Sequence, residues 1–480
     1  MDADDGGGAR ASARRGSGRA REDTSPRDPE RGALHRILRE HLATFLSERE
    51  EAGAPLPKFV VDELRGYLDC GVLSRGCAHF KCDDCGADRV TGLSCKGRGF
   101  CPRCCGRRMT QGARDLVEKV FPHERVRQWV LSFPFALRWP LAFRHELMLA
   151  VSRIAAEEIE RRYRRLARAA GLRKPRGGSV AVIQRFGSGC RLNPHLHTAH
   201  LDGAYGIDAS GEERFFTAPA PSAEEVESIL TRVVERVSAL LERRGGECDV
   251  DDGEASLAQA CAAASTARGT EKHAPDDAEE DDDDELAGQV VLRTRRKARV
   301  DGFDLDAEVA VEAGDRERLE QLFRYFLRPP FSVEQLRYVA PGLVVLELKR
   351  PWHDGTTHVS MTPSVYLARL CSLVPRPRKN TTLYYGVLAG HARGRAKLVP
   401  KPSGTKRRHE DASWAALMKH SFGLDVLGCR RCGGRMRLVA VIHDRKEVRR
   451  LLQNLRVWSD PLPVHPARGP PDEPDSFDFP

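Results

Sequence analysis

The chain has 480 residues, of which 40% are hydrophobic, so it is long enough to bury the cores of two or three domains. Its 78 Lys and Arg residues exceed its 69 Asp and Glu residues, and the resulting net charge of +9 makes a polyanionic partner plausible. No apolar run approaches the roughly 18 residues of a membrane span, and the N-terminus lacks the apolar segment of a signal peptide, so we expect a cytoplasmic protein with no membrane partner.

The 14 cysteines favour metal binding over a disulfide scaffold. In a long chain without a secretory signal, clustered Cys-x-x-Cys pairs indicate zinc. Three such pairs occur, at Cys82 and Cys85, Cys101 and Cys104, and Cys429 and Cys432.

The first segments of the chain differ sharply in composition. Residues 1–31 contain almost no large apolar residue and are expected to be a disordered tail. Residues 32–122 are predicted to form a helical and zinc-binding domain that contacts DNA. Its first half carries two apolar stripes at helical spacing, which begin at Leu34 and Val60 and predict two helices.

Two cysteine pairs in this domain predict a four-thiolate zinc site, made by Cys82, Cys85, Cys101 and Cys104. Cys70 and Cys95 are further candidate ligands, for a second ion or as ordinary buried thiols. Basic residues interleave with the cysteines, namely Lys96, Arg98, Arg103, Arg107 and Arg108. A rigid zinc module with guanidinium groups can bind DNA phosphates, and the alternative is a solvated basic face.

Residues 123–400 are predicted to form the main domain, and two of its histidines stand out. His195 and His197 are two residues apart on a predicted strand, so both imidazoles point to the same face and form a candidate chelate. The preceding strand folds back on this one as a hairpin, and its Gln184 is a candidate third ligand. His200 has the opposite strand parity and is interpreted as structural. Asp202 belongs to a turn signal, but a bulge would let it approach the metal.

An acidic insert and a candidate nucleophile follow. Residues 245–287 contain a block of acidic side chains and are expected to be a disordered insert in this domain. Tyr325 lies on a predicted amphipathic helix, between Arg324 and Arg328. Cationic surroundings suit a tyrosine that attacks a phosphodiester, because a phenol has an ordinary pKa of about 10. The alternative is a tyrosine at the edge of the core.

The remaining segments supply weaker candidates. Lys349, Arg350, Trp352 and His353 lie at the tip of a predicted hairpin and are candidates for stacking on single-stranded bases. Tyr385 is the fallback nucleophile. Residues 401–457 are predicted to be a basic C-terminal region, in which Cys429 and Cys432 form one zinc knuckle with only two visible thiolates. Residues 458–480 are expected to be a disordered tail.

Two segments of the chain, taken together, resemble one family. Asn193-Pro194-His195-Leu196-His197, with Leu201-Asp202-Gly203 after it, and Arg324-Tyr325-Phe326-Leu327-Arg328-Pro329-Pro330 resemble the rolling-circle transposases of the insertion-sequence 91 type, which are HUH single-strand endonucleases. The resemblance implies an α+β fold, in which a small cysteine-rich zinc-binding domain precedes a HUH nuclease domain with a central antiparallel sheet and a tyrosine-bearing helix. Periodicity alone supports only the α+β class.

The resemblance also implies an activity. A metal ion held by His195 and His197 would assist Tyr325 in cutting one DNA strand, leaving a 5′-phosphotyrosine and a free 3′-OH. Many relatives have a second tyrosine four residues from the first, whereas the position one turn before Tyr325 is Gln321. The chain therefore resembles the single-tyrosine branch associated with common-region elements.

The expected cofactors are structural Zn²⁺ at the cysteines and catalytic Mg²⁺ or Mn²⁺ at the histidines. The expected partner is DNA in the nucleoid, single-stranded at the ends of the element. Because the sequence contains no phosphate-binding loop of an ATPase, strand opening is expected to need a host helicase or the replication machinery. Two alternatives use the same features, namely a plasmid replication initiator or relaxase, and a non-catalytic zinc regulator that binds DNA.

Overall fold

The computed structural model describes residues 29–244, 296–399 without 341 and 353, 425, 427–458 and 460–468. The predicted acidic insert at 245–287 and most of the two predicted tails lie outside these residues. The described part has the predicted α+β architecture. Within these ranges, no helix is long and apolar enough to cross a bilayer.

The two N-terminal helices form where the apolar stripes predict them. Helix α1 spans Ala33–Glu51 and α2 spans Lys58–Leu68. Their buried stripes pack into one core with a later helix, α8, which spans Pro363–Leu373. The N-terminal helices therefore share a core with the main domain.

The cysteine-rich part contains a small antiparallel sheet and a long helix. Strands β1 (Cys77–Cys82) and β2 (Asp88–Gly92) precede helix α3 (Pro102–Lys119). A strand from the end of the chain, β16 (Met436–Ile442), pairs with β1 at the sheet edge and is followed by helix α10 (Arg445–Asn454). Strand β16 lies in the predicted C-terminal region at 401–457 and completes the N-terminal sheet.

The main domain is built on an antiparallel sheet with the histidine strand near its middle. Its strands span Val126–Ser132 (β3), Gly178–Phe186 (β5), Leu192–Leu201 (β6), Lys297–Val300 (β9), Phe303–Asp306 (β10), Ala310–Val311 (β11) and Thr382–Gly386 (β15). The sheet has the order β15-β5-β6-β3-β10-β9, and the short strand β11 also pairs with β3. The predicted hairpin is confirmed by the pairing of β5 with β6.

Helices cover both faces of this sheet. Helices α4 (Phe135–Phe143), α5 (His145–Ala169) and α6 (Ala223–Arg243) line one face, where α5 and α6 share a core with Leu196 of β6. Helix α3 and helix α7 (Arg316–Phe326) cover the other face, where they share a core with Ala199 and Leu201. Alternate side chains of β6 therefore face different helix layers, and the odd-numbered ones face α7.

Two smaller sheets complete the described part. One consists of β4 (Arg173–Arg176), β7 (Gly203–Ile207) and β8 (Glu213–Thr217), and the other of β12 (Leu336–Ala340), β13 (Leu343–Glu347) and β14 (His358–Met361). The pairing of β13 with β14 confirms the predicted hairpin that carries Lys349, Arg350 and Trp352, and Gly355 in its turn has a φ of +84°. A one-turn helix, α9, spans Arg395–Leu398.

Parts of the predicted tails make specific contacts. Glu30 is buried in a 3-10 turn, and its carboxylate accepts a 2.7 Å hydrogen bond from the backbone N–H of Leu462. The N–H of His465 donates to the backbone oxygen of Arg39 at 2.9 Å. The described ends of both tails therefore lie against the N-terminal helical part of the chain.

A buried ion pair joins β3 to the end of β6. The guanidinium of Arg127 donates to both carboxylate oxygens of Asp202 at 3.0 to 3.2 Å. The hydroxyl of Tyr163 donates to Asp202 at 3.0 Å and accepts a 3.1 Å hydrogen bond from the indole N–H of Trp129. Since its carboxylate is satisfied by these groups, Asp202 is a structural residue here rather than one that approaches a metal.

We expect Asp202→Ala to lower the free energy of unfolding by about 3–5 kcal/mol, because it leaves the charge of Arg127 buried and unpaired. Tyr163→Phe removes a donor to the same carboxylate and the acceptor of the Trp129 N–H, and should cost about 1.5–3 kcal/mol. Urea unfolding of the three proteins, followed by tryptophan fluorescence, measures both changes. Equal stability of Asp202→Ala and wild type would contradict the importance of this ion pair.

The burial of His200 makes the stability of the folded chain depend on pH. Burial lowers the pKa of His200 from 6.5 to about 3, and both ring nitrogens are buried without a hydrogen-bond partner among the described residues. Below pH 6.5 the unfolded chain gains a proton here that the folded chain does not, so this residue destabilises the fold as the pH falls toward about 3.

We expect His200→Phe to lose less stability on acidification than wild type. The difference in unfolding free energy between the two proteins should shift in favour of the variant by up to about 1.4 kcal/mol for each pH unit below the histidine's ordinary pKa. Urea unfolding at neutral and mildly acidic pH gives this difference. Parallel pH profiles would show that His200 does not titrate in this way.

Candidate active site and metal centres

The two histidines of β6 meet in a buried pocket of the sheet. The Nε2 atoms of His195 and His197 lie 3.0 Å apart, and the side chains are 9% and 1% exposed. The Nδ1 atom of His195 lies 2.8 Å from the backbone oxygen of Asn193. A proton on that Nδ1 leaves the Nε2 lone pair directed at the neighbouring imidazole.

The surroundings keep His197 neutral. Burial, with the nearby charges of His195 and Arg328, holds the pKa of His197 well below its ordinary value. Without a cation, one Nε2 must donate a proton to the other; with a cation, both lone pairs can converge on it. A backbone carbonyl that orients one imidazole through its second nitrogen is common at metal-binding histidines.

Gln184 lies beside these histidines and connects two elements. It is the cross-strand partner of His195 in the β5–β6 pairing. Its amide N–H₂ donates to the backbone oxygens of Tyr325 at 3.1 Å and Phe326 at 3.0 Å. Its Oε1 atom is buried and has no hydrogen-bond partner among the described residues, so this oxygen is available to bind a cation.

Helix α7 brings Tyr325 to the histidines. The helix begins after Asp315, whose side chain accepts a hydrogen bond from the N–H of Arg318, and it ends at Phe326. The ring centres of Tyr325 and His197 lie 5.3 Å apart in an edge-to-face arrangement, and His197 also stacks on Phe326 at 5.0 Å. The tertiary fold therefore joins the two motifs that carry the family resemblance.

The two arginines that flank Tyr325 differ in their contacts. The guanidinium carbon of Arg328 lies 4.7 Å from the ring centre of Tyr325 and 5.6 Å from that of Phe186. Arg324 forms a 2.8 Å ion pair with Glu320 on the same helix. Of the two, Arg328 is therefore the cation placed at the tyrosine.

The fallback tyrosine lies elsewhere. Tyr385 is on β15, and its hydroxyl donates to Ser152 of α5 at 2.9 Å. Helix α5 covers the sheet face opposite to α7. Tyr385 is thus separated from the histidines by the sheet.

Four cysteines form a first cluster near the N-terminus of α3. Their Sγ atoms lie within 4.8 Å of one another, and they belong to Cys70, Cys95, Cys101 and Cys104. The shortest separations are 3.6 to 3.9 Å. A tetrahedral zinc ion with Zn–S bonds of about 2.3 Å holds its sulfur atoms about 3.8 Å apart, so the cluster fits zinc.

Local structure explains the position of the first cluster. Cys101 is the N-cap of α3, and Cys104 lies in its first turn. The loop between Cys95 and Cys101 is held by Glu63 of α2, whose Oε1 accepts the N–H groups of Arg98 and Gly99 at 2.9 and 2.5 Å. Burial raises the pKa of Glu63.

The predicted combination of Cys82 and Cys85 with Cys101 and Cys104 is corrected by the structure. Cys82 and Cys85 lie at the β1–β2 turn, and their Sγ atoms cluster instead with those of Cys429 and Cys432. The reason is that β16 pairs with β1 and brings the C-terminal knuckle to this turn. No spacing along the sequence could reveal that pairing.

Two other cysteines of this region belong to neither cluster. Cys105 is buried beside Cys104, and burial raises the pKa of the Cys105 thiol to about 12. Burial also raises the pKa of Cys77 at the start of β1. Both are neutral core thiols.

Some of the basic residues predicted to contact DNA are exposed, whereas others are partly buried and bind to nearby parts of the protein. Lys96 is exposed, and its backbone oxygen accepts a 2.7 Å hydrogen bond from the exposed Arg108. Arg98 donates to the backbone oxygen of Lys379 at 2.8 Å. Arg107 is half-buried and, with Arg103, lines an apolar cavity of about 240 Å³ between α3 and the small sheet.

Trp352 lies at the turn of the histidine hairpin. Its indole N–H donates to Ser188 at 3.0 Å, and the guanidinium of Arg191 lies 4.8 Å from its ring centre. Lys349 and Arg350 are exposed nearby along the chain, whereas His353 lies outside the described residues. Ser188 and Arg191 were not predicted as site residues, because only the fold brings the hairpin turn to Trp352.

Comparison with known families agrees with this arrangement. A family model described as "Transposase zinc-binding domain", of the insertion-sequence 91 type, matches residues 37–133 and so contains the whole first cysteine cluster. A second family model, described as "Putative transposase", matches residues 178–396 and contains Gln184, both histidines and Tyr325.

The chain has no significant match to a curated protein or to a solved structure. The two domain matches cover most of the chain, in the order that the resemblance implies, and the first cysteine cluster supplies a structural zinc site. The chain therefore belongs to the transposases of the insertion-sequence 91 type, which are enzymes that act on DNA.

Proposed function

We propose that this transposase nicks and rejoins single-stranded DNA during rolling-circle transposition and that Tyr325 is the nucleophile. The single observation that carries the proposal is the meeting of Tyr325 with a buried pair of histidines. The ring centres of Tyr325 and His197 are 5.3 Å apart, although the two residues come from distant parts of the sequence. A core-edge tyrosine would not need two imidazoles with converging nitrogens beside it.

The donor set at this site fits a divalent ion. His195, His197 and Gln184 would hold Mg²⁺ or Mn²⁺ through two imidazole nitrogens and one amide oxygen, and the Oε1 of Gln184 has no other partner among the described residues. Such an ion, when bound, would polarise the scissile phosphate. The soft thiolates of the cysteine clusters would take the zinc.

The reaction that we propose conserves the energy of the phosphodiester. The Tyr325 oxygen forms a bond to phosphorus as it loses its proton, and the bond from phosphorus to the 3′ oxygen breaks. The 3′ oxygen leaves with the electron pair and takes a proton, which gives a 5′-phosphotyrosine and a 3′-OH. A 3′-OH can later attack this phosphotyrosine and rejoin strands without ATP.

Arg328 is proposed to assist both steps. Its guanidinium lies 4.7 Å from the ring centre of Tyr325, within reach of a phosphate brought to that hydroxyl. A cation there favours the phenolate and the charge that develops on the phosphate. Arg324, which pairs with Glu320, is assigned to a backbone phosphate farther along the strand.

A single tyrosine restricts the mechanism. Gln321 is exposed one turn before Tyr325 and cannot act as a nucleophile. We therefore infer that strand transfer uses Tyr325 twice in succession or uses the tyrosines of two copies of the chain.

The DNA path that we propose runs from the active site past the turn of the histidine hairpin. Trp352, with Arg191 over its ring, offers a base-stacking surface, and the exposed Lys349 and Arg350 can contact phosphates. Lys96 and Arg108 of the zinc-binding domain would contact the flanking DNA.

We infer that the enzyme works on nucleoid DNA opened by a host helicase or by replication.

We expect purified protein to form a covalent adduct with labelled single-stranded DNA from the element's own end in Mn²⁺ or Mg²⁺. Tyr325→Phe should form no adduct, because the attacking oxygen is absent. His195→Ala should lower adduct formation by at least about a hundredfold, since several kcal/mol of metal assistance is lost. Denaturing electrophoresis before and after protease treatment measures the adduct.

The matched control for this experiment is Tyr385→Phe, which removes a tyrosine hydroxyl from the opposite face of the sheet and should retain the adduct. An adduct that persists in Tyr325→Phe would overturn the assignment of the nucleophile. Tight DNA binding by wild type with no adduct in either metal would instead favour a non-catalytic zinc regulator.

We expect Gln184→Ala to weaken Mn²⁺ binding at the histidine pair by about tenfold or more, because one oxygen ligand is lost. Electron paramagnetic resonance of free Mn²⁺, recorded without DNA, separates this effect from the loss of the hydrogen bonds to helix α7. Gln321→Ala, at an exposed position of that helix, is the control and should bind Mn²⁺ like wild type. Unchanged Mn²⁺ affinity and cleavage in Gln184→Ala would exclude Gln184 as a ligand.

A further inference from the structure

We propose that the chain holds a second zinc ion in a site assembled from its two ends, by Cys82 and Cys85 with Cys429 and Cys432. The zinc-binding family match ends at residue 133, so it contains only two of these four residues. This proposal does not depend on the function proposed for Tyr325.

The sulfur geometry fits a tetrahedral ion. The Sγ atoms of Cys82 and Cys432 lie 3.6 Å apart, and those of Cys85 and Cys429 also lie 3.6 Å apart. All four Sγ atoms lie within 4.8 Å of one another. These separations are close to the roughly 3.8 Å expected around tetrahedral zinc and far longer than the S–S bond of about 2.05 Å in a disulfide.

The backbone forms the same turn at both cysteine pairs. The N–H of Cys82 donates to the oxygen of Ala87 at 2.9 Å, and the N–H of Gly86 donates back to the oxygen of Cys82 at 3.0 Å. The two hydrogen bonds thus join Cys82 to the residues five and four positions after it in the sequence.

The C-terminal pair repeats both hydrogen bonds at the same offsets. The N–H of Cys429 donates to the oxygen of Gly434 at 2.7 Å, and the N–H of Gly433 donates back to the oxygen of Cys429 at 2.8 Å. The two turns are therefore two copies of one knuckle, which face each other with their thiols inward. Two facing knuckles that close a tetrahedron are typical of structural zinc sites.

A glycine follows the second cysteine of each knuckle for a conformational reason. Gly86 has a φ of +69° and Gly433 a φ of +76°, in the left-handed region that favours glycine. The N–H of Gly434 points at the Sγ of Cys432 at 3.4 Å, as donors commonly do toward a metal-bound thiolate. Both knuckles therefore have the same left-handed backbone conformation after their second cysteine.

The sheet brings the two knuckles together. Strand β1 ends at Cys82, which is the cross-strand partner of Met436 at the start of β16. Beyond this strand, Val448 and Leu452 of α10 are fully buried against Cys77. The C-terminal segment is therefore packed into the N-terminal sheet, and the proposed ion would fasten it at the turn where it enters.

This site would differ from the first cluster in solvent exposure and in the segments that build it. Three of the four thiols of the first cluster are buried, whereas Cys432 is exposed and Cys85 is half-buried. Because the site needs both ends of the chain, it can close only after Cys432 has been synthesised. The second ion would thus cross-link two segments that are far apart in the sequence, whereas all four ligands of the first cluster lie in the N-terminal half of the chain.

Zinc content of the full-length protein tests the proposal. Wild type, purified from zinc-supplemented cells, should contain about two Zn per chain by elemental mass spectrometry. Cys432→Ser and Cys429→Ser should each contain about one, since a three-thiolate site retains zinc poorly through purification. Cys95→Ser should also contain about one, because it opens only the first cluster.

Two variants control for the loss of a cysteine as such. Cys77→Ala and Cys105→Ala each remove a buried thiol from the same region but from neither cluster, and should keep two zinc ions. Replacement of zinc by Co²⁺ gives a second measurement, in which Cys432→Ser should lose about half of the sulfur-to-cobalt charge-transfer absorption. One zinc per wild-type chain, two in Cys432→Ser, or iron in place of zinc at this site would overturn the proposal.

Discussion

The candidate active site depends on the two hydrogen bonds from the Gln184 amide to the backbone oxygens of Tyr325 and Phe326. The last carbonyls of a helix lack their regular partner four residues later, so a donor from the sheet can hold the end of α7 in place. Gln184 is also the cross-strand partner of His195, which means that one side chain sets the tyrosine helix against the histidine strand. Removal of this link would take away the side-chain hydrogen bonds that join the end of α7 to β5.

The side chains of strand β6 point alternately to the two faces of the sheet and so lie in two different environments. His195 and His197 point toward α7, whereas Leu196 and His200 point toward α5 and its buried Tyr163. At the end of the strand, the ion pair of Asp202 with Arg127 holds β6 to β3. The polar groups that support the sheet are therefore kept apart from the polar groups available to a metal and a phosphate.

Helix α3 connects the zinc-binding domain to the tyrosine helix. Its N-terminal turn carries Cys101 and Cys104, and its C-terminal half packs in the same core as Leu322 and Phe323 of α7. The ring of Phe121, just after α3, lies 5.0 Å from that of Phe323. The first zinc cluster and the helix that carries Tyr325 are therefore joined through the packing of one helix.

The sequence by itself determined the α+β class, the histidine hairpin, the helix that carries Tyr325 and the cysteine pairs, because each depends on spacing between residues near one another in the chain. It also placed His200 on the opposite strand face by parity. Only the tertiary structure decided that Gln184 anchors α7, that Arg328 rather than Arg324 lies at Tyr325, and that Cys82 and Cys85 meet Cys429 and Cys432. These contacts join segments that are far apart in the sequence, and local spacing carries no information about which distant strands and helices pack together.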